Sequence, residues 1–319
     1  MNDVSVIVPC NNAAAWIRET LTSVRSAGPG VMETIVVDDG SADESAAIVA
    51  RDFPEMRLVR TSNRGASAAR NLGTSLASGR YLQYLDADDL LRPEKIARQR
   101  ALLDATGADV AYGQWRRLSG AELGPVISRR LPEESAAVEV ALFLDFWAPP
   151  AAYLFRRALV ERLPGWNERL PVIQDARFAL DCALYGGRFV YLPEVVAHYR
   201  EHGDGSLSRR NPKAFYRDIY RNGLEIEAWW REHGGLTPER REALVRCIAY
   251  TARQAAVHDR SDFAEIAAEL DRLRPGFVPD RPRHLRLASR LFGYQRAETM
   301  AHWYRRLRGR AGYSTSMMR

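Results

Sequence analysis

Apolar residues in this chain come in short runs that stop at polar turn residues, and helix-compatible stretches separate the runs. Val4 to Val8 ends at Pro9, Cys10 and Asn11, and a helical pattern follows from Ala13 to Arg25. Thr34 to Val37 feeds Asp38, Asp39 and Gly40, with a helix candidate from Asp43 to Arg51. Arg57 to Arg60, a helix from Ala66 to Ala77 and the run Tyr81 to Leu85 continue the alternation, which stops at Asp86, Ala87, Asp88 and Asp89. Apolar strands separated by helices predict a largely parallel sheet, a Rossmann-like α/β architecture. The polar residues collect at strand ends, where ligands bind in open α/β sheets. Further along, a helix from Ala176 to Tyr185 precedes a strand from Arg188 to Leu192 that ends at Pro193, which puts Asp175 near a helix start. Beyond Asn211 the pattern is mostly helical, over Ala214 to Glu232, Glu239 to Val257 and Phe263 to Leu273.

Composition narrows the class. The 319 residues are 46% hydrophobic and 27% charged, which fits a folded globular chain and excludes a mainly disordered or collagen-like one. Cys10, Cys182 and Cys247 are odd in number and far apart, so neither a disulfide framework nor a zinc knuckle is expected. The first ten residues lack the pattern of a secretory signal and no apolar run approaches membrane-spanning length, so a cytoplasmic location is expected. The net charge of +6 permits attraction to phosphates or an anionic membrane without choosing between them.

Two common nucleotide signatures are missing. No GxGxxG follows the first strand and no GxxxxGK[ST] occurs anywhere, so NAD chemistry and P-loop hydrolysis lose support. Asp86 and Asp88 flank Ala87 just after a strand, where a sharp turn directs both carboxylates toward one hard cation such as Mg or Mn and its phosphate ligands. Read alone, the same acids suit a solvent-facing turn or a helix cap.

The ordered set of motifs goes further. Val4 to Pro9, Val36 to Ser41 followed by Asp43, the group Asn63, Gly65, Ala69, Arg70, Asn71 and Gly73, and Leu85 to Asp89 together resemble the family 2 glycosyltransferases with an A-type nucleotide-sugar-binding fold. The resemblance spans roughly Val4 to Ser208. It implies a Rossmann-like domain with a mixed sheet, made of a nucleotide-sugar-binding subdomain at 1–110 and an acceptor-binding and catalytic subdomain at 111–210, followed by a helical, basic C-terminal extension at 211–319. It further implies that Pro9, Asp38, Asp39, Asn63, Arg64, Arg70 and Asp86 bind the nucleotide, with Asp88, Asp86 and His202 on a Mn or Mg ion. Asp175 takes the place of the family's general base. Its neighbour Gln174 departs from the usual acidic pair, which puts secondary roles of that position in doubt. His202 follows Tyr199 and Arg200 and precedes Ser206 and Ser208, an imperfect copy of a family ending with one extra spacing residue before the serines.

The implied reaction is an inverting transfer from a nucleoside diphosphate sugar, with UDP preferred, to a hydroxyl on a glycan or lipid-linked acceptor. Trp166 and Trp147 are candidates for the acceptor site, because flat aromatic faces pack on apolar sugar faces, although the same residues suit a protein core. Arginines from Arg283 to Arg310 are interleaved with Leu, Phe, Trp and Tyr, so the tail reads either as a solvated helical extension or as a peripheral contact with the inner face of a membrane. No nucleic-acid motif accompanies this charge, and no nucleic-acid partner is expected. A noncatalytic glycan-binding or membrane-associated assembly protein on the same scaffold is the competing class.

Overall fold

The computed structural model describes residues 3–202 and 210–307. The chain divides into two compact units, Met1–Ser206 and Leu207–Arg319. Ser206 and Ser208 lie outside the described residues, as do Arg308 and Arg310.

The first unit is built on one sheet. Strand β1 (Val4–Cys10) is buried along its whole length, as a strand covered on both faces must be, and its near-continuous apolar run follows from that. It pairs in parallel with β2 (Val31–Asp39) and with β4 (Tyr81–Tyr84), while β3 (Arg57–Thr61) pairs in parallel with β2. The crossovers are α1 (Ile17–Ser26), α2 (Ser45–Asp52) and α3 (Ala66–Leu76). A two-residue strand β5 (Leu90–Leu91) and helix α4 (Lys95–Thr106) lead to the hairpin of β6 (Val110–Ser119) and β7 (Glu122–Ile127). Helix α5 (Ser135–Leu144), a 3₁₀ turn at Pro150–Ala152, β8 (Tyr153–Arg156), the short α6 (Arg157–Val160), α7 (Gln174–Leu184) and β9 (Phe189–Arg200) complete the unit. The sheet order is β3-β2-β1-β4-β8-β6-β9-β5, with β7 on β6. Because β8 runs antiparallel to β4 and to β6, the sheet is mixed. The mixed α/β core with a helical C-terminal part is the architecture expected from the sequence.

Local differences from the expected elements have physical causes. Helix α1 starts at Ile17 rather than Ala13, and the segment before it is tied to the loop after β2: Ala13 N–H donates to Ser45 Oγ at 2.8 Å and Ala14 N–H to Asp43 Oδ2 at 2.9 Å. Strand β9 does not stop at Pro193. Its register with β6 jumps from Gly113↔Leu192 to Gln114↔Val195, so Pro193 and Glu194 bulge out of the ladder and the missing proline N–H breaks no bond. The strand then runs on to Arg200, eight residues past the expected end at Leu192.

The second unit is helical, with α8 (Pro212–Glu232), α9 (Pro238–His258), α10 (Arg260–Leu273), α11 (Arg283–Phe292) and α12 (Tyr294–Leu307). Its core includes Tyr216, Ile226, Trp230, Leu244, Ile248, Ala252, Ile266 and Leu270. Three helices carry N-caps: Asn211 accepts from Ala214 N–H, Thr237 from Arg240 N–H, and Asp259 from Ser261 and Asp262 N–H. Each such bond satisfies a backbone donor that the first helical turn leaves open. No helix among the described residues is long and apolar enough to cross a membrane.

Candidate functional site

The C-terminal ends of β1, β2 and β4 place Pro9, Asp38, Asp39 and the Asp86 to Asp89 loop along one edge of the sheet. Pro9 is buried opposite Val37. Asp38 and Asp39 are also buried, and their carboxylates already hold protein groups. Asp38 accepts from Arg60 Nε at 3.2 Å. Asp39 accepts the N–H groups of Arg64 at 2.8 Å and Gly65 at 2.7 Å, one on each oxygen. Asp39 thereby fastens the 63–65 loop. The turn between these segments needs glycine, since Gly40 has φ +71° and a Cβ there would meet Asn63 N at 2.9 Å. Asn63 and Arg64 are exposed on that loop, where Arg64 Nη2 reaches Glu168 Oε2 at 3.3 Å.

Arg70 does not face the solvent as a free phosphate ligand. It is 2% exposed, pairs with Asp86, and lies with Cζ 4.3 Å from the Trp166 ring centroid. Its Nε and Nη1 are buried without a hydrogen-bond partner. Trp166, expected at the acceptor, is instead 3% exposed and stacked on Phe178 with centroids 4.1 Å apart, so its ring faces are covered by protein. Its backbone is held by Asn71, which accepts from Trp166 N–H at 2.7 Å and donates to Trp166 O at 3.0 Å. Gly165 makes this approach possible: φ is +87°, and a Cβ would meet Asn71 Oδ1 at 2.9 Å.

The expected trio of metal ligands is only partly assembled. Asp88 Oδ2 and His202 Nε2 meet at 2.6 Å, and the His202 ring packs on Trp16 with centroids 4.4 Å apart. Asp86 turns to Arg70 instead, and among the described residues no three His, Cys, Asp or Glu side chains form a group that could hold a metal ion. A carboxylate and an imidazole still suit a hard or borderline cation whose remaining positions come from substrate phosphates and water, the usual arrangement for Mg at phosphates. Burial is the largest influence on the Asp88 carboxyl and raises it, the Asp86 charge adds to this, and His202 opposes both.

Asp175 sits in the first turn of α7. Trp147 Nε1–H donates to Asp175 Oδ2 at 2.7 Å, and Ala176 N–H to Oδ1 at 2.8 Å. Burial raises the Asp175 carboxyl above its usual 3.8; the Trp147 and Ala176 bonds lower it, the Asp86 charge raises it and Arg70 lowers it. Trp147 is half-buried and packs edge-on against Trp115 and Tyr199, each at 5.3 Å between centroids. Tyr199 joins the two acidic groups electrostatically: burial first, then the charges of Asp89, Asp175, Asp86 and Asp88, hold its phenol protonated well above the usual range.

Two residues with no expected role organise this site. Arg200 donates its N–H to Asp89 Oδ1 at 2.9 Å, Nε to Asp88 O at 2.8 Å and Nη2 to Glu19 Oε2 at 2.6 Å, which clamps the acidic loop to the end of β9. Gln174 accepts from the Ser67 hydroxyl at 2.7 Å and so ties the start of α7 to the start of α3. Arg200 lies inside the Tyr199 to His202 motif, which was the available signal. Gln174 stood out only as a departure.

Comparison with known proteins finds that residues 5–162 match the family described as Glycosyl transferase family 2. The succinoglycan biosynthesis protein ExoO of Rhizobium meliloti (strain 1021) is 31% identical over 225 residues, 65% of this chain and 63% of that protein. An uncharacterized glycosyltransferase of Escherichia coli (strain K12), YibD, is 39% identical over 95 residues, 29% of this chain and 28% of its own. The matches therefore span less than two thirds of these relatives. Among solved structures, S. aureus TarS 1-349 in complex with UDP-GlcNAc has the same fold, with a TM-score of 0.66 and 18% identity over 99% of this chain and 95% of that one.

Proposed function

We propose, from the match of residues 5–162 to the glycosyl transferase family 2 model, that the protein is an inverting, A-type glycosyltransferase that moves a sugar from a nucleoside diphosphate donor to a hydroxyl of a glycan or lipid-linked acceptor. The single continuous sheet with its acids at the strand ends supports the A-type reading. UDP is the preferred nucleotide, in line with the UDP-GlcNAc held by the TarS structure of like fold.

The observation that carries the reading is the placement of Asp175. Trp147, which bonds Asp175, packs on Tyr199, and the next residue, Arg200, bonds Asp89 and Asp88 O, which supports a carboxylate at the start of α7 working beside the acidic loop after β4. In the reaction, Asp175 takes the proton of the acceptor hydroxyl. The acceptor oxygen forms a bond to the anomeric carbon from the face opposite the leaving group, the bond from that carbon to the diphosphate oxygen breaks, and the electron pair leaves with the nucleotide. Trp147 holds the carboxylate through one oxygen. Arg70, fixed between Asp86 and Trp166, contributes positive charge beside the acids. Asp88 and His202 would hold Mg or Mn; when bound, such a cation neutralises charge building on the departing diphosphate. Asp38, Asp39, Pro9, Asn63 and Arg64 border the nucleotide end.

The test is metal-dependent release of nucleoside diphosphate from a panel of donors and acceptors. Asp175→Asn is expected to lower kcat by about a hundredfold or more, the scale of a lost general base, while UDP affinity stays within twofold. Equal losses of turnover and UDP affinity would sink the assignment of Asp175, and glycan binding without transfer across credible donors would favour a noncatalytic protein.

A further inference from the structure

Helices α11 and α12 pack against each other and are amphipathic in an unusual sense. Leu285 and Ser289 of α11, and Tyr294, Ala297 and Glu298 of α12, face inward and are buried. Leu287 and Leu291 on α11, and Met300 and Trp303 on α12, turn away from these buried residues, whereas Phe292 and Tyr304 each stand seven residues, two turns, from a buried one, Leu285 and Ala297. Leu287, Leu291 and Phe292 on α11, with Met300, Trp303 and Tyr304 on α12, are each more than half exposed, Leu291 reaching 76%. Arg283, Arg290 and Arg296 are exposed among them. Arg260 of α10 adds another cation, with Cζ 5.4 Å from the Trp303 ring centroid. Between Arg283 and Tyr304 the one acid is Glu298, and it is fully buried.

Four large apolar side chains turned outward, Leu287, Leu291, Met300 and Trp303, need an explanation beyond chance exposure. We propose that the outer face of α11 and α12 is a docking surface for an anionic lipid bilayer. The inference does not depend on the sugar-transfer reading. Leu287, Leu291 and Met300 enter the boundary between headgroups and acyl chains, Trp303 sits at headgroup level, and the arginines meet lipid phosphates. Charge disfavours a second copy of this chain: the accessible charges of the two helices between Arg283 and Tyr304 are all positive, so a two-fold pairing of these helices would set arginine against arginine. A nucleic acid would use the arginines and leave the leucines and Met300 without a partner.

The test uses the full chain in co-sedimentation with vesicles of phosphatidylcholine alone and of phosphatidylcholine with equimolar phosphatidylglycerol. Binding is expected to the second kind and to fall as sodium chloride rises, a result that needs no variant. Replacing arginines with Arg283→Gln, Arg290→Gln and Arg296→Gln should weaken binding by about fivefold per charge removed. Leu291→Ser with Trp303→Ser should weaken it by about tenfold or more. These positions are exposed, and an unchanged melting temperature confirms that the variants fold. The proposal is overturned if the wild type ignores the phosphatidylglycerol vesicles, if it binds both kinds equally at all salt concentrations, or if the substitutions abolish self-association or RNA binding while vesicle binding is unaltered.

Discussion

Replacing Trp147 with Phe separates positioning from packing at the proposed base. The indole N–H donates to Asp175 Oδ2 at 2.7 Å, whereas the ring packs on Trp115 and Tyr199. Phenylalanine keeps much of the ring and removes the donor. A hydrogen bond to a charged group contributes about 1.5–3 kcal/mol, and about 1.4 kcal/mol corresponds to one pH unit. The bond stabilises the ionised form, so its loss raises further a carboxyl that burial already holds above its usual range. Only the carboxylate accepts a proton. Activity is therefore lost as pH falls through the carboxyl's pKa, and the acidic limb of kcat/KM should move to higher pH in Trp147→Phe. The assay is nucleotide release against pH for both proteins, with UDP affinity measured in parallel and expected to be unchanged. A uniform loss of rate at every pH, with the acidic limb in place, would show that Trp147 only fills space and would refute the reasoning.

Three further outcomes are expected. Arg200→Ala removes the side-chain bonds to Asp88 O and Glu19 and should lower unfolding stability by about 2–3 kcal/mol while raising KM for the donor, read by denaturant unfolding and steady-state kinetics; an unchanged KM would mean that the clamp does not set the loop. Lys95 is buried, bonded to Gln83 and to Tyr153 O, and held well below its usual 10.5 by desolvation. The unfolded chain binds the proton that the folded one releases, so this residue makes stability rise with pH from the depressed value up to 10.5, and Lys95→Met should flatten that slope in urea titrations. Asp88→Ala and His202→Ala should each raise the Mn concentration needed for half-maximal turnover by about tenfold, and identical metal titrations for wild type and variants would remove both from the cation.

How much of this was legible depended on which forces act locally. The runs at Val4, Thr34 and Tyr81 read as strands because parallel strands covered on both faces must be apolar throughout. The hairpin of β6 and β7 was not legible, since Trp115 and Leu118, three residues apart among Gln114, Arg116 and Arg117, break the two-residue alternation of a strand and the outer strand is largely exposed. Pro193 was a misleading stop, because a proline that bulges out of the ladder costs no hydrogen bond there. At the site, residue types at strand ends announced themselves, but their partners did not.

The partner is what changes a side chain's chemistry. Arg70 and Asp86 each look available to a donor phosphate or a cation when read along the chain. Brought together beneath Trp166, they are first of all a pair, so neither can be counted as a free ligand without asking what happens to the other. Breaking that pair leaves a buried guanidinium with Nε and Nη1 already unpartnered, a costlier state than an exposed arginine. A donor that engaged Asp86 through a cation would therefore need phosphate oxygens near Arg70 to compensate. Arg70→Lys tests this: a point charge lacks the planar stack on Trp166, so donor KM should rise by about tenfold or more with the fold intact, and an unaltered KM would leave Arg70 as a support for Asp86 alone.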